Sequence, residues 1–131
     1  MDLKEIFAPL ARDVEVDLNG APAAETVLYE IPTGKLGTPV FIVLHDFSAA
    51  CGTAVITVGK SGGACEEFLG DQTLTNIAAA GDYVILMPVP NATPVKLVEF
   101  AAGEEITIEI TTAEGGALTC EADVYGRIKD A

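Results

Sequence analysis

From Glu25 to the C-terminus the chain is a succession of short runs rich in Val, Ile, Thr, Leu and Tyr, each closed by Gly, Pro, Asn or Asp. TVLYEI ends in Pro32-Thr33-Gly34-Lys35, TPVFIVLHDF in Ser48-Ala49-Ala50-Cys51-Gly52, and TAVITVG in Lys60-Ser61-Gly62-Gly63. QTLTNI, YVILMPV, VKLVEF, EITIEITT and LTCEADVYGRI follow, separated by Ala80-Gly81-Asp82, Asn91-Ala92-Thr93-Pro94, Ala102-Gly103-Glu104 and Glu114-Gly115-Gly116. Such runs are strands and such joints are turns. No ten-residue helical pattern lies between them to cross a parallel sheet, so successive strands pair antiparallel. The spacing predicts an all-β chain: an antiparallel β-sandwich, jelly-roll-like, of about eight or nine strands.

The alternation says which side of each strand is wet. Ile106, Ile108 and Ile110 face one way while Thr107 and Glu109 face the other. In the last run, Leu118, Cys120, Ala122 and Val124 alternate with Thr119, Glu121 and Asp123. One face packs inward and the other meets solvent. The N-terminus reads differently. Over residues 2–11, Asp2 caps, Glu5 stands three residues on, and Leu3, Ile6, Phe7 and Leu10 share one face of a helix that Pro9 weakens. Val14, Val16 and Leu18 then alternate with Asp13, Glu15 and Asp17 as a lead-in strand closed by Asn19-Gly20. The expected organisation is an N-terminal helix or arm with its lead-in strand over residues 1–22, and a sandwich domain over 23–131. A helix this short does not stand alone in water. Its face Leu3, Ile6, Phe7 and Leu10 either docks on a partner or caps the end of its own sandwich.

Composition removes several classes of function. Seven Lys+Arg against twenty Asp+Glu leave a net charge of −13, with the cations scattered from Lys4 to Lys129. That balance repels a phosphate backbone, so no nucleic-acid partner is expected. The longest apolar runs fall far short of the ~20 residues that span a bilayer, so no membrane partner is expected either. Asp2, Glu5 and Asp13 interrupt any signal-peptide core, which points to synthesis in the cytoplasm. Cys51, Cys65 and Cys120 are odd in number and fit no metal-knuckle spacing. They read as three reduced thiols, with a Cys51–Cys65 bridge as the competing reading.

No motif carries recognisable chemistry. VGKSGG at 58–63 lacks the Gly that a phosphate loop needs at position 54, which is Ala54, and no helix follows it. Glu15-Val16-Asp17-Leu18-Asn19-Gly20 opens like a calcium loop, but the ninth and twelfth positions fall on Ala23 and Thr26. Glu104, Glu105 and Glu109 offer a carboxylate pair, yet nothing in the sequence drives their pKa values apart. His45 is the only histidine, and it closes the most apolar run beside Asp46. It reads as a hydrogen-bonded strand-end residue; an enzyme would need His45, Asp46 and Cys51 to converge. Tyr29, Tyr83 and Tyr125 sit within strands and there is no Trp, which disfavours sugar stacking. A ligand-binding module would instead use the loops at 47–53, 60–72 and 90–94. No catalytic residue, cofactor or metal is expected.

The stretch TVLYEIPTGKLGTPVFIVLHDFS resembles a recurrent bacteriophage structural domain. In that domain an opening strand Leu-Tyr-x-x-Pro-x-Gly-Lys leads into a long strand ending in a polar corner, and Leu28, Tyr29, Pro32, Gly34, Lys35 and Asp46 occupy those places. TAVITVG, NIAAAGDYVIL, EFAAGEEITIEITT and VYGRI resemble its later strands, so the similarity runs over about residues 25 to 128. The resemblance implies a small, non-enzymatic β-sandwich of a phage or prophage virion: a capsid decoration or other head-associated protein, a spike, or a tail or fibre component. It also implies self-association, with a trimer as the first guess, and a capsid or tail protein as partner. The alternative is a loop-based module that binds a glycan or receptor.

Overall fold

The computed structural model describes residues 5–88 and 97–131 and, within them, every side chain but those of Glu5 and Ile6. Among the described residues nine strands are formed: β1 (Glu5–Asp17), β2 (Glu25–Glu30), β3 (Lys35–His45), β4 (Val55–Lys60), β5 (Leu69–Thr73), β6 (Val84–Leu86), β7 (Phe100–Ala101), β8 (Glu105–Thr112) and β9 (Thr119–Asp130). Two antiparallel sheets result, one ordered β1-β9-β3-β6 with β7 added against β3, the other β2-β8-β4-β5. With β6 and β7 counted as one interrupted strand, each strand pairs with its counterpart from the opposite end of the chain: β1 with β9, β2 with β8, β3 with β6 and β7, and β4 with β5. This is one long folded-back ribbon, rolled so that β9 also pairs β3 and β8 also pairs β4. The order is that of a jelly roll.

The inward rows meet in one core. Val16, Leu18, Ile42, Leu44, Leu118, Cys120, Ala122 and Val124 come from the first sheet and its ends, and Leu28, Ile56, Val58, Ile106, Ile108 and Ile110 from the second. Phe100 closes the core, fully buried, with Lys60 Nζ 5.4 Å from its ring centre. The turn Pro32-Thr33-Gly34-Lys35 is held by the Lys35 N–H donating to the Pro32 carbonyl at 3.1 Å. Gly34, at φ 80°, takes the third position of the turn, which a side chain disfavours.

The N-terminal residues correct one expectation. Residues 5–11 belong to β1 and form no helix. Pro9, which would interrupt a helix, is tolerated because β1 is the edge strand of its sheet, where a missing N–H costs no ladder bond. Phe7 and Leu10 are three residues apart and would share a helix face. In the strand Phe7 points outward, while Leu10 packs against the core. Register shifts between Pro9 and Ala11 and between Ala11 and Val14 mark irregularities, and Asp13 at φ 55° lies in the second. Residues 5–17 thus supply an edge strand whose Val16 lies in the core of the sandwich.

Candidate functional site

The outer face of the β1-β9-β3-β6 sheet is divided along its strands into zones. Its middle is aromatic. Phe41 on β3 stands opposite Tyr125 on β9, their rings stacked with centroids 4.7 Å apart, and Phe7 on β1 tilts against Phe41 at 6.3 Å. On β6, Val84 and Leu86 turn to the core, which leaves Tyr83, Ile85 and Met87 outward, with Ile85 directly opposite Val43. Phe7 is 56% exposed, Tyr83 66% and Ile85 51%. An apolar band therefore crosses β1, β9, β3 and β6 on a sheet face that alternation marks as wet. Monomeric proteins seldom leave such a band uncovered. Of the expected docking face, Phe7 lies in this band and Leu10 does not; Leu3 and the side chain of Ile6 lie outside the described residues.

Further along the same face, the pairs Val43–Asp123 and His45–Glu121 carry the sheet into a histidine–carboxylate cluster. His45 Nε2 lies 3.0 Å from Asp123 Oδ1 and 3.5 Å from Asp13, and Nδ1 lies 3.2 Å from Asp46 and 3.9 Å from Glu121. Asp123, nearly buried, also accepts the Asp13 N–H at 2.7 Å. The Asp123 hydrogen bond outweighs partial burial and, with the help of Asp46, raises the His45 pKa. Burial works against the charged form of Asp123, yet the Asp13 N–H and the imidazole hold its pKa low. At the margin, the Asp46 carboxylate pushes Glu121 up. His45 is therefore a hydrogen-bonded strand-end residue, as its position suggested. Its partner Asp123, distant in sequence, was not foreseen. Asp13, His45 and Glu121 bring three donor atoms within 4.8 Å of one another, but both imidazole nitrogens already face carboxylates.

The other candidates settle into structural roles. Cys51 is buried and donates to Glu114, so it does not complete a triad with His45. Cys65 contacts the Thr107 carbonyl at 3.4 Å, and all three cysteines are free and buried. Within VGKSGG, residues 58–60 end β4, and Lys60 pairs with Glu104 at 3.0 Å. Glu15 and Asp17 lie in β1 opposite Glu121 and Thr119. Glu104 accepts the Ala101 N–H at 2.7 Å and is shifted down, while burial, with Glu25, shifts Glu109 up. Loop 47–53 is tied down by Glu114, which accepts the Gly52 N–H at 2.7 Å. The 60–72 segment folds back on β4, with the Phe68 N–H donating to Val58 at 3.0 Å. Residues 90–94 lie outside the described residues. Among the described residues, no helix is long and apolar enough to cross a membrane.

No family model and no curated protein matches the chain. Solved structures share its fold, two of them from phage capsids. One is a chain of the acidic stable capsid structure of Helicobacter pylori bacteriophage KHP30, at a TM-score of 0.55 and 15% identity over 94% of this chain and 92% of that one. The other belongs to the cyanophage Pam1 capsid asymmetric unit, at a TM-score of 0.59 and 12% identity over 100% of this chain and 89% of that one. The two coverages are nearly equal in each case, so the matched chains are close to this one in length. The chain has the fold of small β-sandwich chains found in two phage capsids.

Proposed function

We propose that this chain is a non-enzymatic structural component of a phage virion, a capsid decoration protein that docks on the shell and self-associates, with the trimer as the expected state. The observation that carries this reading is the aromatic and aliphatic band Phe7–Tyr125–Phe41–Ile85 across the outer face of the β1-β9-β3-β6 sheet. It is supported by the end-to-end likeness to chains from two phage capsids. The apolar band supplies the contact, while a net charge of −13 keeps the free protein dispersed. Cyclic association would also cover exposed sheet edges such as β1 and β5, which otherwise invite uncontrolled pairing.

The test pairs light scattering on the eluting protein with co-sedimentation on particles of the source phage. A mass near three times 13.6 kDa, or binding of the monomer to particles, supports the reading. The variant Phe7→Ser/Ile85→Ser should lose that association at unchanged melting temperature, because both side chains are half exposed. A monomer that ignores particles, or a double variant that associates like the parent, overturns it.

A further inference from the structure

The outer face of the second sheet carries a different chemistry. Glu25 on β2 stands directly opposite Glu109 on β8, and Glu109 directly opposite Thr57 on β4. Ile56, Val58, Ile108 and Ile110 fill the core, so Glu109 and Thr57 share the outward row. Like charges placed directly opposite in a sheet repel. The segment after β4 folds over this row so closely that a Cβ on Gly59 would lie 2.7 Å from the Cys65 carbonyl carbon and 2.6 Å from the Glu67 nitrogen. That approach buries Cys65 completely in a left-handed backbone at φ 57°, with its Sγ brought within 4.8 Å of a carboxylate oxygen from each of Glu25 and Glu109. Beside them the Thr57 hydroxyl is wholly buried and has no hydrogen-bond partner. Buried polar atoms are nearly always satisfied, and the Thr57 hydroxyl lies in the outward row directly opposite Glu109, where a ligand held between the carboxylates would give it a partner.

We propose that Glu25, Cys65 and Glu109 bind one divalent cation of the zinc type, with a metal-bound water placed against the Thr57 hydroxyl. One thiolate and two carboxylates make a donor set that zinc accepts, with bonds of about 2.3 Å to sulfur and about 2.0–2.2 Å to oxygen. The hard cations calcium and magnesium gain little from sulfur. Burial, then the charges of Glu109, Glu25 and Glu67, holds the Cys65 thiol up at about 12, so the ion would displace the thiol proton to solvent as the S–metal bond forms. The ion would also relieve the repulsion between Glu25 and Glu109, to which Glu66 adds. Both glutamates end in flexible side chains that can close the remaining gap, and Glu25 is exposed, which leaves a path for entry.

The experiment is a titration of the reduced full-length chain with Co²⁺ alone, followed by displacement with Zn²⁺. The expected result is a saturable near-ultraviolet thiolate-to-cobalt band at one ion per chain, abolished in Cys65→Ser and retained in Cys51→Ser. Glu25→Gln alters an exposed residue that should not disturb folding, and it is expected to weaken binding about tenfold or more. Zn²⁺ should raise the melting temperature of the parent but not of Glu25→Gln. No saturable band overturns the proposal, as does a band that survives Cys65→Ser. Binding lost in Asp13→Asn but kept in Cys65→Ser would overturn it in favour of the His45 cluster.

Discussion

His45 at the end of β3 and Asp123 on the neighbouring β9 meet at 3.0 Å, and the same Asp123 oxygen accepts the Asp13 N–H of β1. One imidazole thereby ties three strands together at the point where Asp13 leaves regular strand geometry. The imidazolium donates from both nitrogens, to Asp123 and to Asp46, and the surrounding groups are Asp13, Glu121 and Arg12. Because the folded pKa of His45 is raised above its ordinary value, this contribution is complete below about pH 6.5 and fades as pH rises through the folded value. Urea midpoints should therefore fall between about pH 6 and pH 8, by roughly 1 kcal/mol for a partly exposed pair. His45→Gln should flatten the profile; an unchanged slope in that variant would refute the role.

The thiols make a second prediction. Burial raises all three cysteines, Cys65 and Cys120 to about 12, and none is bridged. A thiolate-selective reagent should find no fast-reacting group in the native chain and three groups in denaturant, with or without prior reduction. Two unreacted groups after denaturation would reveal a bridge.

The strands were legible in the sequence because each signal is local: EITIEITT is β8 to the residue, and TVLYEI falls on β2 and the Ile31 that follows it. What was not legible depends on pairing. Leu3, Ile6, Phe7 and Leu10 have helical spacing, and only the pairing along β9 makes a strand of residues 5–17. QTLTNI ends as a strand at Thr73, because the Leu74 N–H turns to the Ala54 carbonyl and the Ile77 N–H back to Leu74. The aromatic band and the Glu25–Cys65–Glu109 group arise from the register between strands far apart in the chain, which no local pattern encodes. His45 was visible as a strand-end residue, yet Asp123 lies 78 positions away and belongs to a run whose alternation marked it only as wet.

Two close approaches give a third prediction. A Cβ on Gly126 would lie 2.5 Å from the Thr38 carbonyl oxygen and 3.0 Å from the Pro39 Cα, where β9 passes the irregularity in β3. Backbone atoms cannot swing aside, so Gly126→Ala should destabilise by about 1–3 kcal/mol. Gly59→Ala should cost a similar amount by lifting the segment over β4. Gly115→Ala, with nothing within 4 Å, should be close to neutral. Denaturant midpoints for the three variants check the order.

Glu114 ties the turn before β9 to the loop before β4. Desolvation opposes its ionisation, but the N–H groups of Gly52 and Gly115, the Cys51 thiol and Thr53 together hold its pKa down to about 2. A carboxyl depressed below its ordinary range contributes stability that is present above about pH 4.5 and is lost as pH falls towards the folded value. With the group partly open to solvent, the contribution is about 1 kcal/mol. Glu114→Gln should lower the midpoint by that amount at neutral pH and converge with the parent near pH 2. The Gly52 and Thr53 amides should exchange hydrogen faster in the variant, while the β8 amides remain unchanged, because the bonds removed belong to the loop and not to the ladder. Equal acceleration in β8 would mean that Glu114 supports the whole sheet.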